Sequence, residues 1–174
     1  MKKPATLILM FMLGSDPTAA MNILRGNQEL GISGQVDVDS FDGTFIECDL
    51  SYGYFWLDFL ELGARVGISD SDSLSQWRIG GFTEYHFFNE TPLVPFVGAS
   101  ADLAGADIDF SGNRNSDETA VVIGLDAGVK YFLTDGIALS GQVVFDAATG
   151  DIFATEDGPE HTNWDIQLGL RFFF

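Results

Sequence analysis

The stretch Asn163-Trp164-Asp165-Ile166-Gln167-Leu168-Gly169-Leu170-Arg171-Phe172-Phe173-Phe174 alternates polar and apolar side chains almost to its last residue. Read at the two-residue period of a β-strand, one face carries Trp164, Ile166, Leu168, Leu170, Phe172 and Phe174. The other carries Asp165, Gln167, Gly169, Arg171 and Phe173. A core could bury the first face. Three consecutive phenylalanines at a chain end nevertheless sit badly in water, where termini fray and exposed aromatic patches associate. If the surround of that face is apolar, the same pattern is predicted to recur along the chain.

The opposite end reads as an export label. Lys2 and Lys3 give a basic start, Ala5 to Gly14 an apolar run, and Thr18-Ala19-Ala20 a small-residue cleavage site. The run is shorter than the roughly 20 apolar residues a membrane-spanning helix requires. The expected division is a cleaved signal peptide over residues 1–20, cut after Ala20 or alternatively after Ala19, a short periplasmic segment over 21–27, and one domain over 28–174. Without Lys2, Lys3 and Asp16 the chain holds 6 basic and 25 acidic residues. Such a balance repels phosphate backbones, so nucleic acid is excluded as a partner. Cys48 is alone and cannot form an internal disulfide, and His86 and His161 lie too far apart for a zinc-type spacing.

Seven further segments repeat the opening pattern. Gln28 to Asp39 sets Leu30, Ile32, Val36 and Val38 against Glu29, Ser33, Gln35 and Asp37, and Thr44 to Trp56 sets Ile46, Cys48, Leu50, Tyr52, Tyr54 and Trp56 against Glu47, Asp49, Ser51 and Gly53. Phe59 to Ser69 sets Leu60, Leu62, Ala64, Val66 and Ile68 against Glu61, Gly63, Arg65 and Gly67. Ser75 to Phe88 sets Trp77, Ile79, Thr83, Tyr85 and Phe87 against Gln76, Arg78, Gly80, Glu84 and His86. Leu93 to about Gly105 sets Pro95, Val97, Ala99, Ala101 and Leu103 against Gly98, Ser100 and Asp102. Ala120 to Thr134 sets Val121, Ile123, Leu125, Ala127, Val129, Tyr131 and Leu133 against Gly124, Asp126, Gly128 and Lys130, and Ile137 to Ala147 sets Leu139, Val143 and Phe145 against Ser140, Gln142 and Asp146.

The connections alternate in length. Leu57-Asp58, Asn89 to Pro92 and the hairpin signal Asp135-Gly136 are short, whereas the others, including a loop from Ala106 to Thr119 and one from Ala148 to Glu160, are longer and acidic. The apolar faces hold no Asp, Glu, Lys or Arg, although the chain beyond residue 20 contains 31 of them. A water-facing sheet does not exclude charge so completely. Lipid does, because Arg or Lys at the bilayer midplane costs about 2 to 4 kcal/mol. The alternation alone also admits an inverted, soluble barrel with its apolar residues inside. Against that stand the export label, the aromatic terminus, and aromatics gathered at strand ends: Tyr52, Tyr54, Trp56, Phe59, Tyr85, Phe87, Tyr131, Phe172 and Phe174 at the turn end, Trp77, Phe145 and Trp164 toward the loops. The expected fold is all-β, an eight-stranded antiparallel up-and-down transmembrane barrel with short periplasmic turns and longer acidic outer loops. The first and last strands pair to close it.

On these residues the chain resembles the small eight-stranded outer-membrane barrels of the OmpA and OmpX type. Gln167-x-Gly169-x-x-Phe172-x-Phe174 is similar to the C-terminal signal by which barrel-assembly machinery recognises its clients. Pro95-Phe96-Val97-Gly98 and Gly128-Val129-Lys130-Tyr131-Phe132-Leu133-Thr134-Asp135 resemble stretches common in that family. The resemblance covers about Gln28 to Phe174. It implies a bacterial outer-membrane protein whose role is that of an anchor, an adhesin, a small pore or, in a few members, a lipid-modifying enzyme, so the fold does not choose the function.

The polar faces turn inward in such a barrel. They place Glu29, Glu47, Asp49, Glu61, Glu84, Asp102, Asp126, Asp146 and Asp165 beside Arg65, Arg78, Lys130 and Arg171, with His86, Gln35, Gln142 and Gln167 nearby. An eight-stranded barrel is just wide enough for side chains to fill. The reading is a lumen network of ion pairs, with a narrow cation-preferring path as the alternative because acids outnumber bases. The outer acids, among them Asp70 and Asp72, are candidates for loosely bound Ca²⁺ or Mg²⁺ that bridges to lipopolysaccharide, though Asp70-Ser71-Asp72 lacks the glycine and glutamate of an EF-hand. No resident cofactor is expected. Neither His161 with Thr162 and Glu160, nor His86, has the spacing of a catalytic triad, so no enzymatic activity is expected. The overall expectation is a monomer in outer-membrane lipid and lipopolysaccharide, with a structural, envelope or surface-interaction role and an unidentified surface partner. Deleting Phe174 is expected to lower insertion by the assembly machinery, scored as the folded fraction in outer-membrane extracts, more than it lowers the stability of barrels already inserted. Equal insertion of variant and parent would count against the signal role.

Overall fold

The computed structural model describes residues 23–40, 43–70, 74–110, 114–150, 153–155 and 158–174. The predicted signal peptide lies outside these, as do Asp42, Asp72, Asp151, Glu156 and Asp157 among the predicted loop acids. The chain forms β1 (Gln28–Ser40), β2 (Gly43–Leu57), β3 (Leu60–Asp70), β4 (Leu74–His86), β5 (Leu93–Phe110), β6 (Arg114–Thr134), β7 (Ile137–Ala148), two short strands β8 (Phe153–Thr155) and β9 (Gly158–Glu160), and β10 (Thr162–Phe173). Eight of these close into an antiparallel barrel in the order β1-β10-β7-β6-β5-β4-β3-β2, and β8 pairs only with β9. Closure runs through Glu29↔Phe173 to Gly34↔Leu168, so the alternating tail is the last stave of the wall. Gln28 and Phe174 extend the seam by exchanging N–H···O bonds of 2.9 and 3.0 Å.

The period-two pattern sorts the side chains as expected. Leu50, Val66, Ile79, Leu125, Ile166 and Leu168 are exposed on the outside, and Glu47, Asp49, Glu61, Asp102, Lys130 and Arg171 are buried inside. Among the strand residues whose side chains are described, the only exposed charge is Asp70, at the loop end of β3. An apolar band without water forces every backbone N–H and C=O into the sheet, and a closed barrel meets that demand with no free edge.

Three expectations are corrected. The segment Ala106 to Thr119 is largely not a loop, because β5 and β6 stay in register to Phe110↔Arg114. The apolar outer residues of β5 end near Leu103, so the hairpin runs about 20 Å beyond the band at 3.3 Å per residue. Strand β4 stops at His86, which leaves Phe87 and Phe88 outside it, exposed. Phe59 belongs neither to a strand nor to the aromatic girdle. It occupies the β2–β3 turn at φ 68° and packs against the buried core. A bulky residue in the left-handed region costs about 1 to 3 kcal/mol, and the turn is over-determined by its neighbours: Phe59 N–H donates to Ile23 O at 2.9 Å, and Phe59 O accepts from His86 N at 2.8 Å.

That core closes the turn end of the barrel. Ile23, Phe55, Val94, Phe132, Ala138 and Phe173 form one apolar cluster inside the wall, with the ring of Phe173 centred 4.8 Å from Phe132 and 6.4 Å from Phe55. The N-terminal turn is tied over it by Gly26 N–H to Phe55 O at 2.9 Å and Arg25 N–H to an Asp58 carboxylate oxygen at 3.0 Å. The terminal phenylalanines therefore divide their work, Phe173 being 7% exposed and Phe174 63%. Truncating Phe173 to Ala should cost about 3 to 5 kcal/mol as a large core deletion. Truncating Phe174 to Ala should cost clearly less, read from denaturant unfolding in phospholipid vesicles. Equal losses would contradict this division.

Candidate functional site

Above the apolar cluster the lumen is filled by charged side chains in tiers. The first tier centres on Lys130, fully buried on β6, whose Nζ lies 2.6 Å from Glu29 Oε2 on β1, 2.7 Å from Glu84 Oε2 on β4 and 3.5 Å from Glu61 Oε2 on β3. Its ammonium stands 5.0 Å from the Phe96 ring and 5.8 Å from the Phe173 ring, so the apolar floor also meets it with aromatic faces. Register makes room for this crowding. Gly53 sits opposite Gly63 on β3, the Glu61 side chain lies over it, and a Cβ there would collide with the Glu61 carboxylate. His86 completes the tier. Its Nδ1 lies 3.3 Å from Phe59 O, its ring is flanked by Phe55 at 5.3 Å and Phe96 at 5.8 Å, and its Nε2 points at Glu84 Oε2, 3.5 Å away, and Glu61 Oε2, 3.8 Å away.

Arg171 on β10 links this tier to the next. It lies 3.4 Å from Glu29 Oε1 and donates to Ser140 Oγ at 3.1 Å, Ser51 Oγ at 3.1 Å and Gln142 Oε1 at 3.3 Å. Arg65 forks onto Asp102, with Nε 2.9 Å from Oδ1, and donates to Ser100 Oγ at 2.7 Å. Nearest the loops, Arg78 forks onto Asp49 at 2.9 and 2.6 Å, pairs with Glu47, and lies 3.5 Å from Asp146 Oδ2. Gln167 bridges Gln142 at 3.0 Å and Glu47 at 3.2 Å, and Asp165 accepts from Asn163 Nδ2 at 2.5 Å. Planar guanidinium forks suit carboxylates on neighbouring walls, which explains why three of the four lumen cations are arginine.

The predicted lumen residues Glu47, Asp49, Glu61, Arg65, Arg78, Glu84, Asp126, Lys130, Asp146, Asp165 and Arg171 thus all face inward, and ion pairs join most of them. Asp126 borders a cavity of about 20 Å³ lined also by Ser51, Arg65, Phe82, Glu84 and Arg171, room for about one water. Among the assembly-signal residues, Gln167 is buried inside and Gly169 shares its face. Phe172 is half-buried and Phe174 exposed. Asp70 is exposed at the end of β3 and is not brought to any cluster of candidate ligands among the described residues.

The sequence reading placed Phe173 on the inward face with Arg171 but missed the other inward aromatics. Phe55, Phe96 and Phe132 share parity with Gly53, Gly98 and Lys130, so strict alternation does point them inward. Equating apolar with lipid-facing hid that signal. Phe82, which lies over Gly63, was missed in the same way.

Against known proteins, the model of the outer membrane protein beta-barrel domain matches residues 6–174. Among solved structures, the N-terminal β-barrel domain of Pseudomonas aeruginosa OprF superposes with a TM-score of 0.63 at 22% identity, covering 86% of this chain and 98% of that one. Neisserial surface protein A gives 0.60 at 19% identity, with coverage of 85% and 95%. An uncharacterized protein of Haemophilus influenzae is 27% identical over 99 residues, 54% of this chain and 51% of that protein, so the match spans about half of each. With a family match over nearly its whole length and a closed eight-stranded barrel to go with it, the chain belongs to the outer membrane protein β-barrel family.

Proposed function

We propose that this protein is a non-conducting, non-catalytic barrel of the bacterial outer membrane that serves as a structural and surface-interaction element of the envelope. The observation that carries the proposal is the apolar cluster at the turn end of the lumen, where Ile23, Phe55, Val94, Phe132, Ala138 and Phe173 offer a hydrated ion no polar side chain among themselves. Above it, Arg65, Arg78 and Lys130 pair with acids on strands that are not their neighbours in the sheet, which suits a strut better than a conduit. The surface role falls to the loop end, where the β5–β6 hairpin stands beyond the apolar band. In this reading the signal peptide over residues 1–20 directs export, Gln167, Gly169, Phe172 and Phe174 address the chain to barrel-assembly machinery, and the monomer sits in lipid and lipopolysaccharide. Its acidic loops loosely hold Ca²⁺ or Mg²⁺. Catalysis is not proposed. His86 is sealed inside the wall, away from any lipid substrate.

The competing reading is a small cation-preferring pore, supported by the excess of lumen carboxylates over bases and by the cavity beside Asp126. Planar-bilayer recording separates the two. The parent protein should give no reproducible conductance steps, whereas steps that favour cations and shrink on Glu47→Gln or Asp126→Asn would overturn the proposal.

A further inference from the structure

The tier around Lys130 holds more negative charge than its bases offset, and it contains a ring nitrogen aimed at that charge. Glu29, Glu61 and Glu84 are each less than a tenth exposed, and Asp126 borders the same cavity as Glu84 and Arg171. Against these four carboxylates stand Lys130 and Arg171, because Arg65, which lines the same cavity, is forked onto a fifth, Asp102. The shortfall of two positive charges matches one divalent cation, and a buried charge left uncompensated is costly. The imidazole of His86 is the second observation. A carbonyl only accepts, so the 3.3 Å contact with Phe59 O places a proton on Nδ1. Nε2 then offers its lone pair to a pocket of carboxylate oxygens, and this atom, on a side chain 0% exposed, has no hydrogen-bond partner among the described residues. Backbone anchoring of one ring nitrogen with the other left open is how metal-binding histidines are held. One carboxylate oxygen each from Glu29 and Glu61 and a ring nitrogen of His86 lie within 4.8 Å of one another.

We infer that Glu29, Glu61 and His86 form a buried site for one divalent transition-metal ion, of the zinc class, at the floor of the lumen. Glu84 is the neighbouring carboxylate that completes the set. Zinc takes nitrogen and oxygen ligands at about 2.0 to 2.2 Å, so the three groups draw together by about an ångström, a movement within reach of two glutamate side chains. Imidazole selects such ions over Mg²⁺ and Ca²⁺, which prefer all-oxygen shells. Lys130 is the competitor, because its ammonium now occupies the space between the carboxylates. The Phe96 and Phe173 rings at 5.0 and 5.8 Å give that ammonium a place to withdraw to. The cavity lined by Glu84, Asp126 and Arg171 adjoins the site through the shared Glu84. The inference rests on the folded barrel and is independent of whether the barrel conducts.

The test is metal uptake by the full barrel, refolded in detergent and stripped with chelator, with heat-modifiable gel migration confirming that each variant is folded. Equilibrium dialysis should find one Zn²⁺ per chain that a large excess of Mg²⁺ does not displace. Affinity should fall by at least about tenfold in His86→Ala and in Glu61→Gln, stay unchanged in His161→Ala, which reports binding at the acidic loops, and rise in Lys130→Met. Co²⁺ bound to the parent should show the intense visible bands of a low-coordinate site with a nitrogen ligand, a readout that needs no variant to fold. Zn²⁺ uptake equal in the parent and His86→Ala, uptake lost with His161, or only the pale spectrum of solvated Co²⁺ would overturn the inference.

Discussion

The pairing of β1 with β10 is the constraint on which everything else depends. In lipid an unpaired sheet edge has no water to turn to, so a wall that failed to close between Glu29↔Phe173 and Gly34↔Leu168 would leave a row of backbone groups unsatisfied at several kcal/mol each. Closure fixes the parity of every strand, and parity decides that Asp, Glu, Lys and Arg turn inward. The charged lumen is thus a consequence of the closed wall. Once those side chains are inside a space about as wide as they are long, they must neutralise one another.

The way they do so explains the order of the tiers. Arg78, Arg65, Lys130 and Arg171 come from four different strands, and each reaches at least one polar group that is not on an adjacent strand: β4, β3 and β6 reach acids on β2, β5 and β1, and β10 reaches the Ser51 hydroxyl of β2. Backbone ladders hold neighbouring staves, and these side chains tie staves two or three positions apart around the wall. At the turn end the bracing changes character. Phenylalanines and Ile23 replace charge, and the strained turn at Phe59 is kept because its carbonyl orients His86 while its ring seals the floor. The same structure that closes the mouth therefore leaves one imidazole nitrogen facing carboxylates in a buried pocket.

Much of this was legible in the sequence because the determining signal is a period of two. Ile166, Leu168 and Leu170 against Gln167 and Arg171 needs no partner to be read, and the absence of charge from the outer faces separates lipid from water. The lumen residues followed from the same parity. What parity cannot supply is where strands cease to be membrane. Residues 106 to 119 are rich in Asp, Ser, Asn and Gly, which look like loop, yet β5 and β6 carry one another out of the apolar band because pairing, once in register, propagates. Alternation does separate Phe55 and Phe132, which floor the lumen, from Tyr54 and Leu133, which face lipid, but it does not show that the inward phenylalanines meet in one cluster. That meeting depends on the depth of each residue along the barrel. His86 was visible as an inward histidine, but its approach to Glu61 and Glu84 depends on the β3–β4 register, Glu61↔Glu84, which brings both carboxylates to its side.

The central claim is that the lumen is sealed at the turn end by its apolar floor. Thiol accessibility of a single cysteine above that floor tests it directly. Ser51→Cys, made with Cys48→Ala so that no other thiol remains, should resist a membrane-impermeant maleimide applied from the turn side of oriented vesicles, and should become reactive from that side when Phe55 and Phe173 are both truncated to Ala. Rapid labelling from the turn side with the phenylalanines intact would contradict the account.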